Sequence, residues 1–569
     1  MHVLHEAKQD AWKILKQAFG KGYTPSIDEI EQPPDPKMGD LAFPCFSLAK
    51  GLKRNPVEIA DEIAAKIAPK GLIGKIESKG PYVNFFFDQK TFGKKLFDDI
   101  FEKGDSYGGS DIGEEKRIMV EYASLNTHKD PHIGHLRTIF LGQLLVHLFK
   151  KVGYEVIAAT YIGDLGTHVS RCLWGLKKFY ANIEPPKKDQ NKFLGEVYVR
   201  AVQALEHEPL AKEEIDAISR DIEAKRGDNF FWWKKTREWS LREIKTIFKE
   251  LNLPIDAWYF ESGVTSISKK TIAHLLKKGI AKKSDGAIII DLYEEGLGVN
   301  LLVKSDGTLL YNARDLGLAF KKQGDYHPDR SLYVVDSRQN LALQQLFVTL
   351  KRMGFEEKLE HISYEFITLK DGAMSARKGN VIRYQDFRDQ MEQIAREQTL
   401  GRHPDWKTKK IEETAKVIAS SAMRFSILHQ DPGRKITFDM KEALSFEGCT
   451  GPYLLYTIAR ISSILRKASS LEKKKKNVIF SSAVEHELLV FLSFYPDILF
   501  TTAQDIHLSR ISQYLFDLSK KFSSFYQTVP ILQESDENKR ISRLTLIQAT
   551  AQVLENGLKL LGIRTLEEM

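Results

Sequence analysis

The sequence predicts an α/β protein in which a doubly wound parallel sheet is preceded by an α+β segment and followed by an all-α segment. Three observations lead to this fold class. Strand and helix patterns alternate between residues 113 and 400, which is typical of a parallel sheet with helices on both faces. Residues 1–112 mix the two patterns, whereas residues 401–569 contain no convincing strand run.

Residues 1–112 form the first predicted domain. The tetrapeptide Asn55-Pro56-Val57-Glu58 supplies an N-cap, a first-turn proline and an N3 carboxylate, so we expect a helix to begin there. The stretch 80–87 has the pattern of a turn followed by a strand. Gly108-Gly109-Ser110 marks a linker to the next domain.

Residues 113–400 form the second predicted domain. The strand candidates are 117–123, 154–160, 287–292, 331–336 and 363–369. The helix candidates are 132–150, 191–207, 211–225, 232–251, 266–277 and 339–353. Helices between residues 165 and 280 interrupt the alternation and predict an insertion. Neither the G-x-G-x-x-G nor the G-x-x-x-x-G-K-[ST] pattern is present, so nicotinamide and P-loop chemistry lose support.

Residues 401–569 form the third, helical domain. Its last helix places apolar residues at alternating four- and three-residue steps and meets Gly562, a helix stop. The basic run Lys473–Lys476 is interpreted as a solvated loop rather than as a nucleic-acid patch.

Composition narrows the class of protein. The chain has 569 residues, 42% of them hydrophobic and 28% charged, which indicates several globular domains. No stretch approaches the ~20 apolar residues of a membrane span, and no signal-peptide core is present. The scattered Cys45, Cys172 and Cys449 fit no metal or disulfide spacing and indicate a reducing cytoplasm. The net charge of +8 fits a polyanionic partner.

The stretch from Lys129 to Leu136 is the most informative motif. It places His132 and His135 three residues apart around Gly134, after an apolar strand run and Pro131. We expect a helix to begin at 132, with both imidazoles on its first turn. The N-terminus of a helix after a strand favours anions, so the two histidines could donate hydrogen bonds to a triphosphate.

Several further segments, in order, resemble those of class I arginyl-tRNA synthetases over nearly the whole chain. They are 120–126 with Lys129 and 132–135, 163–167 followed by His168 where Gln is more usual, 305–315, 334–339, 442–456 and the ending 561–569. The resemblance implies an arginine–tRNA ligase. It would have an N-terminal domain over 1–112 that binds the tRNA D-loop, a Rossmann-like catalytic domain over 113–400, and an anticodon-binding domain over 401–569. It also implies a cytoplasmic monomer.

Such an enzyme joins the arginine carboxylate to the α-phosphate of ATP and then transfers arginine to the 3′ end of tRNA(Arg). The carboxylate is already ionised, so alignment and charge neutralisation are the main requirements. We expect His132, Gly134 and His135 to bind ATP together with Met374 and Ser375. Magnesium would arrive bound to ATP, and neither a resident metal nor a permanent cofactor is expected.

The second signature of class I enzymes, K-M-S-K, is degenerate in this chain. The sequence is Ala373-Met374-Ser375-Ala376, so both lysines are missing, and Arg377 and Lys378 follow. The resemblance implies that Lys129 takes the place of the second of these lysines. Lys378 is the competing candidate for the catalytic cation.

Arginine requires carboxylates and a flat or hydroxyl-bearing wall, because guanidinium is planar and always charged. Tyr311 and Asp315 are four residues apart and would share a helix face. Glu121 and Asn126 could hold the ammonium and carboxylate groups of the substrate. Gln339, which is similar to an arginine contact of the family, and Glu261 complete the predicted set.

Two regions of the chain are predicted to bind tRNA. Tyr453, Tyr456 and Arg460 suit unstacked anticodon bases, although each tyrosine could equally be part of the core. Tyr82 and Asn84 alternate on one strand face, and the resemblance assigns that domain to the D-loop, although a buried hairpin is the alternative. Met569 belongs to the matching C-terminal segment and is the last predicted tRNA contact.

Two other classes of protein share some of these features. A pantothenate synthetase-like nucleotidyltransferase has a related H-x-G-H motif, but such chains are much shorter and need no helical C-terminal domain. A non-catalytic RNA-binding paralogue would account for the missing lysines. Both histidines and the predicted arginine-site residues remain, which favours the enzyme.

Overall fold

The structure is a computed structural model that describes residues 2–18, 25–33, 35–208, 211–370, 382–468 and 478–569. It contains two compact units. One unit combines residues Met1–Ser110 with Ser445–Met569, and the other is the continuous segment Asp111–Leu444. The first division falls at the predicted Gly108–Ser110 linker.

The N-terminal part of the first unit is a small antiparallel sheet covered by helices. Its helices are α1 (Val3–Ala18), α2 (Phe46–Leu52), α3 (Pro56–Lys66) and α4 (Gln89–Lys103), and its strands are β1 (Leu41–Pro44), β2 (Ile73–Lys79) and β3 (Tyr82–Phe87). The strands lie in the order β1-β3-β2. Asn55 accepts a hydrogen bond from the backbone N–H of Val57 at 3.0 Å. The predicted cap of α3 is therefore confirmed, and so is the strand after Gly80-Pro81.

The second unit is the α/β part of the chain. Its strands are β4 (Arg117–Glu121), β5 (Glu155–Ile162), β6 (Ala257–Phe260), β7 (Lys282–Ser284), β8 (Ala287–Leu292), β9 (Gly298–Val303), β10 (Arg330–Asp336), β11 (Lys358–Tyr364), β12 (Ile367–Leu369) and β13 (Ile436–Phe438). Its helices are α5 (His135–Lys151), α6 (Thr167–Tyr180), α7 (Gln190–Ala204), α8 (Ala211–Glu223), α9 (Gly227–Glu250), α10 (Glu261–Lys277), α11 (Tyr311–Tyr326), α12 (Asn340–Arg352), α13 (Tyr384–Arg402), α14 (Thr408–Leu428) and α15 (Met440–Ala443).

Five parallel strands form the central sheet, in the order β11-β10-β4-β5-β6. The chain moves outward from β4 in one direction through β5 and β6, and in the other through β10 and β11. The predicted doubly wound fold class is confirmed. Its order reverses between β4 and β10, and the crevice beyond the carboxyl ends of these two strands is where such sheets bind ligands.

Some predicted elements differ from the observed ones. The predicted strand 287–292 is β8, but it lies in a separate antiparallel sheet, β7-β8-β9. The predicted strand 363–369 is divided between β11 and β12, because the backbone N–H of Glu365 donates to the carbonyl of Pro432. β13, which pairs with β12, is a strand in a segment where we expect none. β6 was not predicted.

The C-terminal part of the first unit is helical. Its helices are α16 (Gly451–Ala468), α17 (Ala483–Ser493), α18 (Tyr495–Asp505), α19 (Ser509–Thr528) and α20 (Glu537–Leu560). α20 ends just before Gly562, which has a φ of +71°, so the predicted stop is confirmed. None of the described helices combines the length and apolarity needed to cross a bilayer.

Buried contacts join the two ends of the chain inside the first unit. Tyr107 stacks on Tyr495 with 6.1 Å between ring centroids, and its hydroxyl donates to the carbonyl of Leu492 at 3.3 Å. The Asp40 carboxylate lies 2.8 Å from Nε2 of His486. The small N-terminal sheet and the C-terminal helices therefore share one core.

Candidate active site

His132 and His135 lie in the loop between β4 and α5, at the crevice where the strand order reverses. α5 begins at His135, with Gly134 as its N-cap, so the prediction that a helix begins at 132 is wrong. The backbone N–H of Gly134 donates to Nδ1 of His132 at 3.1 Å, and the backbone N–H of His132 donates to Nδ1 of His135 at 3.0 Å. These local bonds keep His132 in the loop before the helix, whereas His135 is the first residue of α5.

The two imidazoles are paired neutral donors. Their ring centroids are 3.8 Å apart, with 37° between the planes. Because each Nδ1 accepts a hydrogen bond, each neutral ring carries its proton on Nε2. Burial, followed by the charges of Lys129 and Arg338, lowers the pKa of His132 to about 4. Burial holds the pKa of His135 well below its usual range, so both rings can donate hydrogen bonds without being charged.

Residues 382 and 384, which follow the degenerate signature in the sequence, form hydrogen bonds with the loop that contains the two histidines. The backbone N–H of Ile133 donates to the carbonyl of Ile382 at 3.3 Å, and that of Tyr384 donates to Pro131 at 2.8 Å. Met374, Ser375 and Lys378 lie outside the described residues. Their predicted roles therefore remain predictions.

The structure brings Lys129 to the histidine pair. Its Nζ lies 5.4 Å from the centroid of the Tyr198 ring. Burial, together with the charge of Arg171, lowers the pKa of Lys129. Lys129 in turn lowers the pKa values of His132 and His135, which indicates that its ammonium group lies close to both rings.

Asn126 helps to join the loops that follow β4 and β5. Gly163 donates from its backbone N–H to Leu125 at 3.0 Å and accepts from Thr127 at 2.9 Å. A Cβ on Gly163 would lie 2.1 Å from Oδ1 of Asn126. A larger residue at 163 would therefore displace the Asn126 side chain, which is exposed at this edge of the sheet.

Carboxylates gather around the hydroxyl of Tyr161, which is buried and has no hydrogen-bond partner among the described residues. Burial raises the pKa of this hydroxyl well above its usual value, and the nearby Asp315, Glu261 and Glu121 raise it further. Burial, followed by the charge of Glu121, raises the pKa of Asp315 to about 7. Burial also raises the pKa of Glu261 to about 8. A cation placed among these groups would relieve their mutual repulsion.

Two of these carboxylates already have partners within the protein. Glu121 forms a buried ion pair with Lys322, and Lys322 lies 4.0 Å from the centroid of the Tyr333 ring. Glu261 accepts a hydrogen bond from the backbone N–H of Leu165 at 3.3 Å. Asp315 forms no hydrogen bond or ion pair with any of the described residues, so it has the most freely available carboxylate.

The remaining predicted arginine contacts are accessible. Tyr311 is the first residue of α11 and is 53% exposed, and a Cβ on Gly166 would lie 3.0 Å from its hydroxyl. Gln339 is exposed just before α12, and its side chain forms no cap. Tyr161 and Arg338 were not predicted as site residues. Tyr161 comes near Asp315 because of the order of the strands in the sheet. Arg338 comes near His132 because of the course of the loop after β10, so neither proximity has a local signal in the sequence.

Comparison with known proteins assigns the chain to a family. The catalytic-domain model of class I tRNA synthetases of the arginine type matches residues 98–440. The arginyl-tRNA synthetase N-terminal domain matches residues 5–87, and the DALR anticodon-binding domain matches residues 454–569. The chain belongs to the arginyl-tRNA synthetase family.

Individual relatives cover almost the whole chain. An arginine–tRNA ligase of Bdellovibrio bacteriovorus is 37% identical over 98% of both chains, and one of Clostridium kluyveri is 35% identical over 95% of this chain and 96% of its own. The structure resembles the arginyl-tRNA synthetase of Thermus thermophilus with a TM-score of 0.80 and 25% identity, covering 99% of this chain and 100% of that one. The chain is a class I arginine–tRNA ligase, and the shorter nucleotidyltransferase alternative is wrong.

The family's anticodon-binding domain contains the predicted tyrosine–arginine group. Arg460 donates to the hydroxyl of Tyr456, and its guanidinium carbon lies 4.5 Å from the Tyr456 ring centroid and 4.9 Å from that of Tyr526. Both rings are exposed. Tyr526 lies on α19 and was not predicted, because it is distant from Tyr456 in the sequence. Tyr453 instead lies within 3.0 Å of the Ser523 hydroxyl.

The other predicted tRNA contacts differ in accessibility. Tyr82 is half-buried and packs edge-on against the exposed Phe46, with 5.6 Å between ring centroids. Asn84 is only 1% exposed, on the central strand of its sheet. The alternative of a buried strand therefore describes Asn84 better than it describes Tyr82. Met569 is half-buried.

Proposed function

We propose that the neutral histidine pair and Lys129 carry the first step of arginine–tRNA ligation. A carboxylate oxygen of arginine bonds to the α-phosphorus of ATP, the bond to the β-phosphate breaks, and pyrophosphate leaves with arginyl-adenylate as the product. The observation that carries this proposal is the placement of two Nε2–H donors and a nearby ammonium group at the strand-order reversal. Fixed donors aimed at developing charge are the main device of such catalysis.

His132, Gly134 and His135 contact ATP, together with Met374 and Ser375. Magnesium enters bound to the phosphates of ATP, and the enzyme keeps no permanent cofactor. Neutral rings suit this role because each has Nδ1 occupied as an acceptor and keeps an Nε2–H that can donate to a phosphate oxygen near neutral pH. Lys129 supplies the cation that the degenerate signature lacks, and Lys378 is its competitor.

Asp315 pairs with the substrate guanidinium. Its carboxylate is buried, raised in pKa and without a described partner, which is the state expected of an acid prepared for a cationic ligand. Tyr311 and the unpartnered hydroxyl of Tyr161 border the same position. Glu121, Asn126, Glu261 and Gln339 complete the arginine site, with Glu121 acting from within its pair with Lys322.

The second step transfers arginine from the adenylate to a ribose hydroxyl at the 3′ end of tRNA(Arg), with loss of AMP. Tyr453, Tyr456 and Arg460 contact anticodon bases, and exposed aromatic rings beside a guanidinium suit stacking on such bases. Tyr82, Asn84 and Met569 are the further proposed tRNA contacts. The enzyme acts as a cytoplasmic monomer with domains over 1–112, 113–400 and 401–569.

The compact units divide differently from these proposed domains. Unit 2 extends to Leu444, and residue 400 falls inside α13. The proposed domain limit at residue 400 therefore separates two proposed functions and does not coincide with the end of a compact unit.

Charging assays test the function directly. Purified protein is incubated with ATP, magnesium and a transcribed pool of tRNA, with each amino acid supplied in turn, and AMP formation and charged tRNA are measured. We expect charging with arginine alone. Charging with another amino acid would contradict the proposed substrate. No arginine-dependent AMP in the presence of tRNA would contradict the proposed reaction and favour a non-catalytic RNA-binding protein.

A further inference from the structure

Two cations beside the candidate ATP site have no acidic partner. Arg171 lies on α6, and its Nε is buried without a hydrogen-bond partner. In the described parts of the chain, neither Arg171 nor Lys129 forms an ion pair. Lys129 and Arg171 are both half-buried, and the charge of Arg171 contributes to lowering the pKa of Lys129. An anion bound between them would offset their mutual repulsion.

Lys129 is held in place by α7. Its ammonium group lies over the Tyr198 ring at 5.4 Å. The neighbouring Asp130 carboxylate turns to the same helix, where it accepts from Nδ2 of Asn191 at 2.9 Å. A Cβ on Gly195 would lie 2.2 Å from Oδ2 of Asp130. Asp130 therefore anchors the loop against α7.

The residue next to Arg171 on α6 also contacts α7. Its neighbour Cys172 is buried, and the Cys172 thiol donates to the carbonyl of Leu194 at 3.5 Å. Leu194 lies one turn before Tyr198 on α7. Lys129 and the neighbour of Arg171 thus contact a single stretch of α7.

His168 lies between the candidate ATP site and the arginine site, and the positive charges of Lys129 and Arg171 affect its pKa. It is 8% exposed, and its Nε2 has no hydrogen-bond partner. Burial, followed by the charge of Lys129, lowers its pKa to about 3, and Arg171 contributes to this effect. A Cβ on Gly166 would lie 3.7 Å from Nδ1 of His168 and 3.0 Å from the Tyr311 hydroxyl. The positive region therefore extends from the histidine pair towards the arginine site.

We propose that Arg171 and Lys129 together bind a phosphate oxyanion and that Arg171 replaces the other lysine missing from residues 373–376. This inference rests on the proposed function. The phosphate could come from ATP, as the departing pyrophosphate, or from the last phosphodiester of the tRNA 3′ end. The guanidinium group can hold two oxygens at once, which suits either source.

Direct binding of inorganic pyrophosphate tests the site. Calorimetry with magnesium pyrophosphate compares the full-length protein with Arg171→Met, Arg171→Lys and the matched control Arg220→Met, which removes an exposed arginine of α8. Loss of a charged hydrogen bond should raise the Kd by about 10- to 100-fold in Arg171→Met. Arg171→Lys should recover part of the loss, and Arg220→Met should match the unaltered protein.

Kinetics distinguish the two sources. If ATP supplies the phosphate, Arg171→Met should also lower kcat for adenylate formation at saturating tRNA and leave the KM for tRNA unchanged. An unchanged pyrophosphate Kd with a raised KM for tRNA would assign the site to the RNA phosphodiester. If the folded variant alters neither the pyrophosphate Kd nor the KM for tRNA, or alters only the KM for arginine, the inference is wrong.

Failure of this inference can be distinguished from failure of the proposed function. The proposed function fails if the unaltered protein does not charge arginine, whereas the inference fails if the Arg171 variants behave like the Arg220 control. Thermal unfolding checks that Arg171→Met folds. If it does not, Arg171→Lys and Lys129→Met decide the question by the same pyrophosphate measurement.

Discussion

Asp315 has the carboxylate on which we expect arginine selection to depend most directly. Asp315→Asn keeps the shape of the side chain but removes the charge that would pair with guanidinium. A charged hydrogen bond contributes about 1.5–3 kcal/mol, so we expect the KM for arginine to rise at least tenfold. The KM for ATP should change much less. Asp325→Asn, on the same helix but paired with Lys321, is the control, and equal effects on both KM values would make Asp315 structural.

The raised pKa of Asp315 predicts how arginine binding responds to pH. In the empty site this carboxyl is protonated below a pKa of about 7, and only its ionised form attracts guanidinium. Arginine binding therefore releases a proton, and the KM for arginine should rise by up to about tenfold for each pH unit below 7. Initial rates between pH 6 and 8.5 measure this. A KM that stays constant over that range, or a slope that persists in Asp315→Asn, would refute the assignment.

Lys129 is expected to act on the transition state. Charge on the phosphate oxygens spreads as the reaction proceeds, so Lys129→Ala should lower kcat far more than it weakens ATP binding. Loss of one such group typically costs a factor of about 10²–10³. The comparison is with Lys378→Ala in single-turnover adenylate formation. If Lys378→Ala abolishes activation and Lys129→Ala has almost no effect, Lys378 and not Lys129 provides the catalytic cation.

At the residue scale, sequence identified many candidate site positions but not the arrangement around them. The Lys129-to-Leu136 motif predicted a shared task for His132 and His135, and the structure places the rings together. It did not predict that Nδ1 of each ring accepts a backbone N–H, because that depends on the local turn. The pairing of Glu121 with Lys322 and the placement of Tyr161 among carboxylates depend on packing between elements that are distant in the chain.

At the scale of elements, the packing of α16 against α19 creates an exposed aromatic surface, which we expect to contact RNA. Tyr456 and Tyr526 flank Arg460 from these two helices. Base–aromatic stacking contributes about 1–3 kcal/mol per base, so Tyr526→Ala should raise the KM for tRNA by roughly 5- to 150-fold and leave the KM for arginine unchanged at saturating tRNA.

Tyr293→Ala is the matched control for this surface, because Tyr293 is 71% exposed in the other unit. A tRNA KM that is unchanged in Tyr526→Ala, or equally changed in Tyr293→Ala, would remove Tyr526 from the RNA contacts.

The elements themselves were predictable where their patterns were long. The helices α7 and α8 of the insertion and the central strands β4, β5 and β10 were found within a few residues, whereas α6 was not among the predicted helices. β6 and β13 were missed because three or four residues carry too little periodicity. The sheet to which β8 belongs could not be predicted, because a short apolar strand has the same pattern in a parallel and in an antiparallel setting.

At the scale of the whole molecule, the first unit depends on contacts between both ends of the chain. Tyr107 is fully buried against Tyr495. Tyr107→Ala should destabilise this unit by about 3–5 kcal/mol, as large-to-small core substitutions of aromatic residues do. Calorimetric unfolding should show an earlier transition for this unit than in Phe500→Ala, which removes a partly exposed ring from the same unit. An unchanged transition would show that the shared core contributes little.

The overall organisation was predictable from sequence, since an α+β part, an α/β part and a helical part occur in the expected order. Sequence did not indicate that the first and last parts combine into one compact unit, because no local pattern records contacts between residues as distant as Asp40 and His486. Such contacts follow from tertiary packing alone.

The division of the first unit between both ends of the chain also governs its biosynthesis. A ribosome adds about 5–20 residues per second, so residues 1–110 wait roughly tens of seconds for their C-terminal partners, whereas unit 2 is delivered without interruption. In that interval α4 lacks the side chains of Val478 and Leu489 that later close over Gly93. A chain released early would keep its catalytic unit but expose an apolar helix face, which would mark it for chaperones or proteolysis before it could consume ATP.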